Sequence, residues 1–229
     1  MRSVVILDLD GTLADTLPDI RAALNRSLSH LSLPPVTAEE CRLMVGRGAR
    51  NLTRLALRGR EELWDRLYDL YRADYSANLA CLTRPYPGIT DMLSALAEAG
   101  MRLCVISNKD QEDVRRVLAH CFPGFPFALA AGRQPQIPLK PDAAPGLRCL
   151  SLLDAGPRDA VVVGDSDVDV AFARALGSPS VGCAWGFRGE DELRRSNCTR
   201  LAFTPAEAAC HILSLAREQG PDYHGRSEP

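Results

Sequence analysis

Lysine is nearly missing from this chain: of 27 basic residues among 229, all are arginine except Lys109 and Lys140. Arginine therefore serves wherever a generic surface cation is wanted. A compact ammonium kept at two positions, each just after an expected strand or in its loop, points to a place where a point charge must reach a phosphate or an acid pair. Basic excess is missing too. A net charge of -2 and a pI near 6.1 argue against a dedicated nucleic-acid binder, for which a basic stripe is expected, while leaving room for local arginine clusters. No apolar run approaches the roughly 18 residues of a membrane span, and Val4 to Leu7 is too short for a signal h-region, so a cytoplasmic protein without a membrane partner is expected. The eight cysteines contain no C-x-x-C pair and the four histidines form no cluster, which argues against a zinc site or a disulfide framework and leaves buried thiols.

What is present is an alternation of short apolar, β-branched runs with helical patterns. Val4 to Leu7, Arg102 to Ile106, Phe127 to Leu129, Ala160 to Val163 and Ser180 to Cys183 read as strands, and continuous runs such as Val161-Val162-Val163 suit strands buried on both faces. The expectation is an α/β parallel sheet covered by helices, with ligands bound beyond the carboxyl ends of its strands. Between the first two strands, Thr16 to Arg84 has helical periodicity: Leu24, Leu28 and Leu31 share one face, and Leu63, Leu67, Leu70 and Tyr71 another. We expect an inserted helical domain over 16–84, a core over 1–15 and 85–218, and a disordered tail over 219–229, where Gly220-Pro221 and Gly225 fall.

Four polar clusters follow expected strands. Asp8-Leu9-Asp10-Gly11-Thr12 places two carboxylates on one strand face, roughly 6 to 7 Å apart, with a glycine to turn the chain behind them. Such a pair supplies a nucleophile and a proton carrier. Ser107-Asn108 offers a hydroxyl and backbone N–H groups to phosphate oxygens, or else a helix N-cap. Lys140-Pro141 presents a lysine from a proline-rich loop, and Gly164-Asp165-Ser166-Asp167-Val168-Asp169 crowds three carboxylates within five residues. Their repulsion is tolerable only beside a cation, and an all-oxygen set suits magnesium.

Together these motifs resemble the haloacid dehalogenase superfamily and, within it, the phosphoglycolate phosphatase-like group. The resemblance runs from Val4 to about Ala216 and rests on Asp8 to Leu13, Tyr86-Pro87-Gly88, Val105 to Lys109, Lys140-Pro141, and Val163 to Ser166 with Asp169. Trp185-Gly186-Phe187 is similar to that group as well, whereas Ala143 stands where the family pattern carries a second proline. The resemblance implies a Rossmann-like core with an inserted α-helical cap. It also implies a magnesium-dependent phosphatase in which Asp8 attacks a phosphate monoester to form an aspartyl-phosphate and Asp10 is the general acid and base. Asp8, the Asp10 carbonyl and Asp165 would hold Mg2+; Ser107, Asn108 and Lys140 would hold the phosphoryl oxygens, with Thr12 at the substrate site and Asp169 orienting either Lys140 or a metal-bound water.

The expected partner is a small phosphorylated metabolite, with no nucleic acid, and the oligomeric state is left open. Arg47 and Arg50, around Gly46 and Gly48, are candidates for a substrate carboxylate such as that of 2-phosphoglycolate. A phosphosugar mutase or pyrophosphatase on the same core, or a non-catalytic phosphate-binding protein, stays open as an alternative. Dehalogenation needs no acid at position 10, and Schiff-base phosphonate cleavage needs a lysine that 16–84 does not contain.

Overall fold

The computed structural model describes residues 3–218; the expected tail at 219–229 lies outside them. Strand β1 (Val4–Leu7) is apolar and buried throughout. A two-residue strand β2 (Ala14–Asp15) follows, then helices α1 (Leu17–His30), α2 (Ala38–Met44), α3 (Ala49–Ala56) and α4 (Trp64–Asn78). Strand β3 (Arg84–Pro85) returns antiparallel to β2. The chain then alternates through α5 (Ile89–Glu98), β4 (Arg102–Asp110), α6 (Gln111–Cys121), β5 (Leu129–Arg133), α7 (Ala144–Leu152), β6 (Ala160–Gly164) and α8 (Asp167–Leu176). It ends with β7 (Ser180–Cys183), α9 (Gly189–Arg195), β8 (Arg200–Ala202) and α10 (Pro205–Arg217).

Six strands form one parallel sheet in the order β5-β4-β1-β6-β7-β8. Strand β1 lies between β4 and β6, with Leu7 opposite Val105 on one side and Val163 on the other. The chain passes from β1 to β4 and β5 on one side and then crosses to β6, β7 and β8 on the other, and this reversal of strand order opens a crevice beyond the carboxyl end of β1. Alternate residues feed two cores. Val5, Leu7, Val105 and Val163 pack in one cluster, while Val4, Ile6, Cys104 and Val162 meet Cys149, Leu150, Phe172 and Leu176 of α7 and α8 in the other.

Three expectations need correction. Strand β4 runs on to Asp110, and Ser107, Asn108 and Lys109 sit in the irregular stretch between its paired residues Ile106 and Asp110 rather than beyond the strand. Strand β5 starts at Leu129, where the earlier pattern ended, because Leu-Ala-Ala-Gly-Arg lacks the β-branched signal yet pairs with β4. Strand β8 is three residues long and had no pattern to announce it.

In the insertion, α1 packs on α4 through Leu24, Leu28, Leu67, Tyr71 and Tyr75. Thr37 caps α2 in a reciprocal pair with Glu40: its hydroxyl accepts from the Glu40 N–H at 3.1 Å, and Glu40 accepts from the Thr37 N–H at 2.7 Å. The returning chain is pinned where α1 begins, since the Asp19 carboxylate accepts from the Leu82 and Thr83 amides at 3.0 and 2.9 Å. The thiols are not uniformly buried as expected: Cys81 and Cys210 are exposed and Cys198 is half-buried, while the other five are buried. Among the described residues no helix is long and apolar enough to cross a membrane.

Candidate active site

Strand β1 delivers Asp8 into the crevice, its amide still donating to the Val163 carbonyl at 2.9 Å as the last rung toward β6. The chain then turns tightly, with the Leu13 and Ala14 amides both donating to the Leu9 carbonyl at 3.1 Å. Gly11 adopts φ +87°, and a Cβ there would collide with the Asp165 carboxylate, so only glycine lets the acidic turn lie against the loop after β6. Gly186 meets the same carboxylate from the other side. Asp165 is thereby enclosed; its oxygens accept from the Thr12 hydroxyl at 3.1 Å and the Phe187 amide at 2.7 Å.

Lys140 reaches between two acids. Its Nζ lies 2.8 Å from Asp8 Oδ1 and 2.7 Å from Asp169 Oδ1, and its side chain is 3% exposed. Asp169, near the start of α8, is fixed in turn by the Ser166 hydroxyl, which donates to Oδ2 at 2.6 Å. The Asn108 side chain holds the lysine by its backbone, accepting from the Lys140 N–H and donating to the Lys140 carbonyl, both at 2.9 Å. It also donates to the Gly46 carbonyl at 2.9 Å, so one amide ties β4, the lysine loop and the helical insertion together. Burial opposes the ammonium charge, but Asp169 and Asp8 outweigh it and hold Lys140 protonated above its ordinary range.

Carboxylate oxygens of Asp8, Asp165 and Asp169 lie within 4.8 Å of one another. One lysine does not neutralise three acids. Burial, with Asp169 and Asp10 nearby, pushes the Asp8 carboxyl up to about 7 even against Lys140, and burial with Asp169 and Asp8 pushes Asp165 well above the usual range. Oxygen-only donors short of positive charge are what a hard divalent cation such as magnesium selects, and these residues fit it.

A pH dependence follows. Unfolded Asp8 loses its proton near 3.8, whereas the folded group holds it to about 7, so the metal-free fold loses stability as pH rises through that window. Asp165 acts in the same direction, and Lys140 is charged in both states throughout. Chelated protein should melt at a lower temperature at pH 8 than at pH 5, and magnesium should raise the melting temperature more at pH 8. Equal magnesium shifts at the two pH values would contradict this assignment.

Asp10 faces a different set of partners. Its Oδ1 accepts from the Thr16 hydroxyl at 2.6 Å and lies 3.0 Å from Lys109 Nζ, which also donates to the Tyr75 hydroxyl at 2.9 Å. Lysine scarcity had marked Lys109; its partners on the turn after β1 and on α4 were not readable from its neighbours. Beyond Asp8 and Asp10 a cavity of about 50 Å³ extends under the helices, lined by Ser107, Asn108 and Lys109 from β4 and by Tyr71, Arg72 and Tyr75 from α4. Asp8 and Asp10 line it together with Lys109, while Lys140, Asp165 and Asp169 stand beside Asp8 at its mouth, so that two carboxylates, two ammonium groups and an acidic cluster able to hold a cation adjoin one space, a set of groups suited to phosphoryl transfer.

The haloacid dehalogenase-like hydrolase family model matches residues 5–183. The chain belongs to that family. A phosphoglycolate phosphatase of Chromobacterium violaceum is 34% identical over 189 residues, covering 80% of this chain and 85% of its own. One from Aquifex aeolicus is 32% identical over 184 residues, with the same coverage of 80% and 85%. The crystal structure of a predicted phosphoglycolate phosphatase from Haemophilus somnus superposes with a TM-score of 0.86 at 25% identity, covering 92% of this chain and 97% of that one. The resemblance read from the motifs, to this hydrolase family and its phosphoglycolate phosphatase-like group, is thus met.

Within this family member, Asp8, Asp10, Ser107, Asn108 and Lys140 gather around one crevice, with Asp165 and Asp169 beside them. Three other candidates lie elsewhere. Thr12 is fully buried with its hydroxyl on Asp165, outside the cavity. Arg47 is half-exposed and pairs with Asp167 at 2.7 Å. Arg50 lies over the rings of Tyr68 and Trp64, at 4.5 and 5.4 Å. The guanidinium that lines the cavity belongs to Arg72, paired with Asp110 and Asp113, and an arginine inside a regular helix carries no local mark of such a position.

Proposed function

We propose that this hydrolase is a magnesium-dependent phosphatase of small phosphate monoesters working through an aspartyl-phosphate on Asp8. The observation that carries the reading is the placement of Asp8: at the carboxyl end of the central strand, 2.8 Å from Lys140 and within 4.8 Å of Asp165 and Asp169. Asp8, the Asp10 carbonyl and Asp165 would hold the ion, which would supply the positive charge that lets a carboxylate approach a phosphate dianion. Lys140, Ser107 and the Asn108 amide are placed to hold phosphoryl oxygens as charge moves onto them. Asp10 is the group within reach of a leaving alkoxide, protonating it and later taking the proton of the attacking water.

Residues 16–84 would move as a cap on the β2–β3 ribbon over a core of 1–15 and 85–218. The Asn108–Gly46 bond and the Arg188 donor to the Val45 carbonyl at 2.7 Å latch the closed arrangement and exclude water. The small cavity suits a small leaving group, and the names of the curated relatives make 2-phosphoglycolate the reference substrate. We place the enzyme in the cytoplasm, a setting that keeps eight free thiols reduced.

The test is phosphate release from a panel of monoesters, 2-phosphoglycolate and p-nitrophenyl phosphate included, with magnesium and with chelator. Magnesium-dependent release supports the reading; isomerised sugar phosphate without free phosphate would contradict it. Because Arg47 is engaged by Asp167 on the surface, Arg47→Ala is expected to change KM by less than about threefold, the scale of an exposed ion pair. A tenfold rise would put Arg47 on the substrate.

A further inference from the structure

Asp113 stands in the first turn of α6 and is 1% exposed. Its Oδ2 accepts from Arg72 at 2.5 Å. Its Oδ1 is the single buried side-chain oxygen or nitrogen among the described residues that has no hydrogen-bond partner. Native proteins seldom leave such an atom bare, and this one belongs to a residue lining the cavity that starts at Asp8 and Asp10. Asp113 thus brings to the wall of this cavity a carboxylate with one oxygen held by Arg72 and the other without a donor.

The cations of the pocket are already engaged. Arg72, the one guanidinium lining it among the described residues, is shared by Asp113 at 2.5 Å and Asp110 at 2.8 Å, and Asp110 also pairs with Arg133 at 3.1 Å. Lys109 is divided between Asp10 and the Tyr75 hydroxyl. A substrate carboxylate entering here would meet two carboxylates around the Arg72 guanidinium and would have to displace one of them. A hydroxyl meets no such opposition, and it supplies the donor that Oδ1 lacks.

We infer that the end of the substrate remote from the phosphate carries a hydroxyl that donates to Asp113 Oδ1, so that this phosphatase selects phosphate esters of short polyols or sugars over carboxylate-bearing esters. The inference rests on the phosphatase reading above and departs from the substrate in the relatives' names. Asp113 is a specificity residue; the bond to phosphorus is made and broken elsewhere, at Asp8.

The wild-type enzyme tests this without a mutation. Glycerol 3-phosphate and propyl phosphate share a three-carbon chain and differ in two hydroxyls, so kcat/KM for the former should be at least about tenfold higher, the effect of one hydrogen bond to a charged group. It should also exceed the value for 2-phosphoglycolate. Asp113→Asn removes the negative charge, and the ratio of glycerol 3-phosphate to 2-phosphoglycolate should fall by about tenfold or more. A purely structural role would lower both substrates together and leave that ratio fixed. Equal efficiencies for glycerol 3-phosphate and propyl phosphate would overturn the inference, as would an unchanged ratio in the variant; if the variant does not fold, the wild-type comparison decides. Magnesium-dependent hydrolysis of p-nitrophenyl phosphate reports on the phosphatase reading separately, and its absence would overturn both.

Discussion

Asp8→Asn should lower magnesium-dependent phosphate release by at least about four orders of magnitude, the scale seen when a covalent nucleophile is removed. The same change should make the metal-free protein more stable at pH 8. The two effects have opposite signs for one reason. Asp8 is partly buried beside Asp169, Asp10 and Asp165, and its raised proton affinity says that the ionised form is held at a cost. An uncharged amide relieves that cost but has no oxygen that can attack phosphorus. Lys140 keeps its Asp169 partner at 2.7 Å, so the fold does not lose its buried lysine pairing. Full activity in the variant would eliminate the nucleophile; lost activity with a lower melting temperature at pH 8 would show that Asp8 is structural.

Lys140→Met should abolish turnover as well, but with the opposite effect on stability. Its ammonium is the one cation in hydrogen-bond contact with both Asp8 and Asp169 among the described residues. Removing one partner from a buried charge cluster leaves uncompensated charge and typically costs about 3–5 kcal/mol. Neutralising Asp169 in the same chain should restore most of that stability, because the two changes share one interaction, and should restore none of the activity. Thermal or urea unfolding of Lys140→Met and of Lys140→Met with Asp169→Asn measures the coupling. Additive losses would mean that the lysine and Asp169 act independently, against the 2.7 Å contact.

The parts of the site that were legible in the sequence are those whose chemistry is written locally. Asp8 and Asp10 sit at the end of an apolar strand with glycine behind them, and Asp165 and Asp169 straddle the start of α8, so strand order alone brings them to one edge of the sheet. The scarcity of lysine marks Lys109 and Lys140 without reference to their partners. Residues beyond the nucleophile were not legible, because Arg72 and Tyr75 lie on α4 and Asp113 on α6, two helices that give no sign in their own periodicity of meeting across a cavity. Arg47 was drawn to the substrate by its glycine neighbours, while its partner Asp167 stands 120 residues away. The same limit applies to the fold: β1 and β6 announce themselves by composition, whereas β5 and β8 become strands only because β4 and β7 offer them an edge.

The central claim is that Asp8 takes the phosphoryl group beside an ion it shares with Asp165. A crystal structure of the enzyme with magnesium and fluoroberyllate, a mimic of the acyl-phosphate, tests it most directly. The account predicts beryllium bonded to an Asp8 carboxylate oxygen, with magnesium contacting the other Asp8 oxygen and Asp165. Fluoroberyllate on any other residue, or magnesium bound away from Asp165, would contradict it.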